Sequence, residues 1–204
     1  MALTLREIAP EAQIFALGIT FENEDGKVGA IVRAIDWAIE NDIDILTYSS
    51  AAFLEQSREK VYAAVDRACE HNIVTTFIHY PYERNLFPTG FSVDRDRYAR
   101  DPDLNIFAWD YNIVMIQSQL EYQNAKPEEQ RRMMRPFTSI SSVSAVTAGF
   151  VVLMKSVDNT LPPEQYKNIL RQASRELDYE GRIISLAPDV YAALKSIPTV
   201  RVPN

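Results

Sequence analysis

The amino-acid sequence predicts an α/β domain, a mainly parallel sheet flanked by helices. Three observations carry this. Apolar runs short enough for buried strands recur at 12–20, 43–49 and 73–78. The stretches between them place apolar residues at helical spacing, and crossovers of that length favour parallel, right-handed neighbours. Further along, Phe137 to Ser156 (FTSISSVSAVTAGFVVLMKS) opens on small residues and then turns strongly apolar. Slim side chains let neighbours approach on several sides, so this helix belongs in the middle of a domain.

Each element follows from local pattern. In AQIFALGIT (12–20), Ile14, Phe15, Leu17 and Ile19 read as a strand buried on both faces. Asp25-Gly26 reads as a turn and cap. Ile31, Ala34, Ile35, Ala38 and Ile39 then mark an amphipathic helix that ends at Asn41-Asp42. IDILTYS (43–49) is the second strand. Val61, Ala64, Val65 and Ala68 stripe a helix over Ser57–His71, and Asn72 suits the left-handed residue that follows a helix. IVTTFI (73–78) is the third strand.

His79 to Pro102 is irregular, with Pro81, Pro88 and Gly90 as breakers. Leu104 to Tyr111 reads as a strand, and Glu121 to Pro136 as an exposed loop or short helix. Pro163 suits the first turn of a third amphipathic helix marked by Tyr166, Ile169, Leu170, Ala173 and Leu177. Arg182–Leu186 and Val190–Leu194 close the chain as a short strand and helix. No repeat or linker interrupts this pattern, so residues 1–204 form one domain.

With 21 Lys and Arg against 28 Asp and Glu, the net charge of −7 disfavours binding to nucleic-acid phosphates. Arg131, Arg132 and Arg135 follow Glu128 and Glu129 and read as a solvated turn. The single cysteine, Cys69, excludes an internal disulfide and fits a reducing compartment. MALTLREIAP is too short in its apolar part for a signal peptide, and Phe150–Met154 is too short to span a membrane. A cytoplasmic protein without membrane contact is the expectation. His71, His79 and Cys69 have no metal-ligand spacing. Asp94, Asp96 and Asp101 alternate with Arg95, Arg97 and Arg100, a self-neutralising run rather than a calcium loop. With 6 glycines and no phosphate loop, no cofactor or metal is expected.

The helix at 137–156 resembles the serine-nucleophile helix of the subtilisin-like proteases, whose pattern runs G-T-S-M-A-x-P-H-V-A-G. Anchored on Ala148-Gly149, that frame puts Ser139 and Ile140 at the family's Gly-Thr, Ser141 at the nucleophile, Ala145 at its Pro and Val146 at its His. Five other stretches resemble family segments in family order: IAPEAQIFAL, AIDWAIENDIDILTYSS, AVDRACEHNIVTTFIHYP, PDLNIFAWDYNIVMIQSQL and TLPPEQYKNILRQAS. The resemblance runs from Ile8 to about Leu194. It implies the later part of a subtilisin-like three-layer domain, without that family's N-terminal strands.

What the resemblance implies about chemistry is degenerate. The family's catalytic Asp strand and His-Gly-Thr helix precede the matched stretches, and neither Asp-x-Gly nor His-Gly-Thr occurs in this sequence. The oxyanion position falls on Tyr80-Pro81, where proline offers neither an amide side chain nor an N–H. The substrate edge falls on Ser49, Ser50, Ala51 and Ala52, whose β-carbons would crowd a peptide. Ser141 needs a base. His71 reads as a surface residue, which leaves His79, at a strand end, as the available partner. Aromatics at 80, 82, 107, 109 and 111 could line a peptide groove or fill a core.

The resemblance therefore implies an inactive pseudoprotease serving as a binding or structural module for a protein or peptide partner. The alternative is a serine endopeptidase using Ser141, with its Asp and His supplied by another chain or an upstream segment. A bare 12–20 edge, with no lysine, proline or bulge to protect it, would invite residues 1–9, a second copy in a homodimer, or a partner strand.

Overall fold

The structure is a computed structural model that describes residues 2–18, 23–49, 57–77, 84–86, 124, 126–130, 140–179 and 182–198. Its elements in chain order are α1 (Ala2–Ile8), α2 (Glu24–Glu40), β1 (Ile45–Tyr48), α3 (Arg58–Glu70), β2 (Val74–Phe77), α4 (Pro127–Gln130), α5 (Ile140–Val157), α6 (Pro163–Gln172), β3 (Ser174–Tyr179), β4 (Arg182–Pro188) and α7 (Val190–Ser196). Mixed helix and strand with parallel pairing agrees with the α/β expectation. β1 pairs with β2 in parallel, Ile45 opposite Val74 through Tyr48 opposite Phe77. β3 and β4 form a separate antiparallel pair with a register shift at Leu177/Asp178.

The two helix-to-strand turns are built the same way. At the end of α2, Asp42 takes φ 51°. Its N–H donates to Ile39 C=O, and the N–H of Ile43 donates to Ala38 C=O. At the end of α3, Asn72 takes φ 59°. Its N–H donates to Cys69 C=O, and that of Ile73 to Ala68 C=O. Asn and Asp tolerate the left-handed backbone, and the paired bonds satisfy carbonyls that the helix end leaves open. Each turn delivers an isoleucine into the core and starts a strand within two residues. Parallel pairing of β1 and β2 follows directly from this repeated geometry.

The sheet pair lies between two apolar layers. On one face Ile31, Ile35 and Ala38 of α2 meet Val61, Ala64, Val65 and Ala68 of α3, with Ile73 and Phe77 beneath them. On the other, Val143, Val146, Val151 and Met154 of α5 meet Val74, Leu86, Tyr166, Leu170 and Ala193. The expected approach of neighbours to α5 is realised at Gly149, where an added Cβ would lie 2.8 Å from Ile8 Cγ2. Residues 2–8 thus fold as a helix onto α5.

Several expectations are corrected. Residues 12–18 form no strand, and the segment is only partly buried, Phe15 being 51% exposed. It has no ladder partner among the described residues, and Phe15 packs edge-on against Trp37 at 5.7 Å. The bare strand edge expected at 12–20 is therefore absent over the described part; 19 and 20 lie outside the described residues. The cap of α2 is Asn23, whose Oδ1 accepts the Gly26 N–H at 2.8 Å, and Asp25-Gly26 lies inside the helix. α6 stops at Gln172, so Leu177 belongs to β3. The strand expected at 104–111 lies outside the described residues. No helix among the described residues is long and apolar enough to cross a membrane.

Candidate functional site

α5 runs antiparallel to β1 and β2, and two polar contacts show it. Near the start of α5, Ser144 sits against Thr47 and Thr76 in the second halves of the strands. Near its end, Lys155 Nζ lies 3.3 Å from Asp44 Oδ1 and 3.0 Å from Asn72 C=O, where the strands begin. The backbone of Ser141 is one helical turn before Ser144, about 4.5 Å further along the axis. It therefore stands where β1 and β2 end, the side of an open parallel sheet where ligand sites are found.

Ser144 is a stitch and not a reactive group. Its hydroxyl donates to Thr76 C=O at 2.6 Å, so the hydroxyl of Thr47, also at 2.6 Å, must be the donor to Ser144 Oγ. Thr76 Oγ1 donates in turn to Ser144 C=O at 3.4 Å. All three belong to elements that expose little of them, and Ser144 and Thr76 are fully buried. A hydroxyl so committed holds helix to sheet; it has no free proton route to a base.

Of the sequence-predicted site residues, Ser141 is placed by its backbone at the start of α5, and Ser49 directly follows β1, half-buried. Ser50, Ala51, Ala52, His79, Tyr80 and Pro81 lie outside the described residues. His71 caps α3 and is exposed, away from this end of the sheet. No group of three His, Cys, Asp or Glu among the described residues is arranged to hold a metal ion.

Sequence reasoning missed the polar groups at the opposite end. Lys155 is buried with its ammonium 5.6 Å from the centre of the Tyr166 ring, and Tyr166 donates to Asp158 C=O at 2.6 Å. Burial pushes the Tyr166 phenol up to about 12, with the Asp158 and Asp44 charges adding to it. The Cys69 thiol lies 3.1 Å from Glu164 Oε1 and bridges α3 to α6. Burial, then the bond to Glu164 and the charge of that carboxylate, push it up to about 12. The hydroxyl and N–H of Thr160 hold Asp158 below the usual carboxylate value.

These shifts set an alkaline limit. Both raised groups stay protonated in the fold, while in the unfolded chain they ionise from their ordinary values of 9.0 and 10.0. Their contribution to stability is complete below pH 9 and is lost as pH rises toward about 12. Urea midpoints measured from pH 8 to 11 should fall, and Cys69→Ala with Tyr166→Phe should flatten the slope. An unchanged slope in the double variant would remove these groups as its cause.

The chain matches no protein-family model, and no curated protein matches it either.

Proposed function

We propose that the chain is a subtilisin-like pseudoprotease, a catalytically inactive module that binds a protein or peptide partner. What supports the reading is the Ser141 backbone, which lies at the start of a small-residue helix beside the ends of two parallel strands. Support for inactivity comes from the sequence at the matched positions. Pro81 cannot donate to an oxyanion, and Ser139-Ile140 replaces the flexible Gly-Thr before the serine. Binding would then use the strand ends and the segments that follow them, without bond cleavage.

An activated fluorophosphonate tests this directly. The expected mass spectrum of the treated, folded chain shows no adduct on Ser141. Stoichiometric labelling that disappears in Ser141→Ala would overturn the reading in favour of the serine endopeptidase.

A further inference from the structure

The sheet's two outer edges are treated differently. On β2, Leu86 N–H donates to Thr75 C=O, and the side chain of Asn85 bonds both the N–H and the C=O of Phe77. That edge is closed. On β1, Val74 N–H takes the Asp44 carbonyl, so by strand alternation Ile45 and Thr47 turn their backbone groups away from β2. They find no outward backbone partner among the described residues.

A cavity of about 510 Å³ runs along this open edge. Five successive residues, 44–48, line it, although their side chains alternate between faces; what borders the space is the strand's backbone edge. Residues 12–15 and Leu17 form the opposite wall. Ile31, Ala34 and Trp37 of α2 close one face, and Ala148 and Val152 of α5 close the other. The space thus has the four boundaries of an interior strand position: a strand edge, a second chain segment, and a helix layer above and below. A purely apolar small molecule would leave the amides of 45 and 47 without partners, a cost that a backbone can remove. The helix residues above and below are apolar, which favours apolar side chains in both directions, while Gln13, Asn41, Thr47 and Tyr48 add polar groups to the lining.

Charge selects the occupant further. Asp42 and Asp44 line the end of the cavity where β1 begins. Asp44 pairs with Lys155, whereas Asp42 is exposed and enters no ion pair among the described residues. No Lys, Arg or His among the described residues lines the cavity.

We propose that this slot binds an extended peptide segment of a partner, apolar on both faces and carrying Lys or Arg at the end beside Asp42, which joins the open edge of β1 as an added strand. The slot lies along the strands rather than at their ends, so it is distinct from the Ser141 position and is tested by a different measurement.

The probe is a fluorescein-labelled Lys-Val-Ile-Val-Ile-Lys amide titrated into the full chain by fluorescence anisotropy. Saturable binding is expected below about 1 mM, with new hydrogen-exchange protection at 45 and 47. N-methylation of alternate peptide amides should abolish it, and the same peptide with Glu for both Lys should bind more weakly. Asp42→Asn, which keeps a residue tolerant of the left-handed backbone, should weaken binding about threefold. Ala34→Phe should fill the slot and remove binding while the thermal midpoint is retained. Absence of saturable binding, indifference to N-methylation, or undiminished binding by Ala34→Phe would each overturn the proposal.

Discussion

Replacing Asn85 with leucine, which keeps the branching at Cγ but is larger, should lower the unfolding free energy by about 2–4 kcal/mol. Asn85 is fully buried, and its amide acts as a short piece of strand. Oδ1 accepts the Phe77 N–H and Nδ2 donates to the Phe77 C=O, both at 2.9 Å. Leucine supplies neither partner, and two backbone groups remain desolvated in a closed edge. Burying an apolar side chain offsets part of this penalty, but the larger leucine must also be fitted into a fully enclosed site. Asn85→Asp should be at least as damaging, since it keeps the acceptor but sets a carboxylate oxygen against a carbonyl. Urea melts of the three proteins decide the matter. A loss under about 1 kcal/mol for Asn85→Leu would show that the β2 edge finds its partners elsewhere.

Ser144→Leu should cost still more, about 3–5 kcal/mol, because two penalties combine there. The side chain is wholly enclosed between α5 and the strands, in space sized for a hydroxymethyl group. Leucine must push the helix off the sheet, and it also strands the hydroxyl of Thr47. Ser144→Ala separates the two effects: it removes the hydrogen bonds without adding volume and should cost about 1–2 kcal/mol. Combining it with Thr47→Val isolates the pair, and a coupling above about 0.5 kcal/mol is expected between hydroxyls in direct contact. Equal costs for alanine and leucine would mean that the close approach of helix and sheet is not what serine permits.

Local pattern made much of this fold legible. The apolar stripes of α2 and α3 and the runs that become β1 and β2 are readable because each element buries one consistent face or both. Asn72 was readable because few residue types accept φ 59°. The small-residue run gave the site of close helix contact, where Ser144 and Gly149 now lie. Residues 12–18 misled because an apolar run reports burial tendency and says nothing of whether a neighbouring strand exists. Leu177 misled because it continues a helical spacing past the point where backbone pairing with β4 takes over. Asn85 was illegible for another reason: a side chain that imitates a strand has no periodicity, and its partner eight residues away is known only from the fold. Of the candidate site, the sequence located the start of α5, while the slot beside β1 is a property of four separated segments and no local signal could announce it.

The stitching of α5 also bears on how the chain reaches this state. β1, α3 and β2 are consecutive and can associate through short loop closures. Ser144 meets Thr76 across 68 residues and Thr47 across 97, while Lys155 meets Asp44 across 111. The entropy of closing such spans must be surrendered before any of these bonds forms, and it grows only slowly with their length. The three contacts therefore arrive together rather than in sequence, since docking the helix for one brings the others within reach. Until that docking occurs, Ile45 of β1 and Val74 of β2 lack the α5 layer they pack against. Contacts of such sequence separation favour slower folding than local ones.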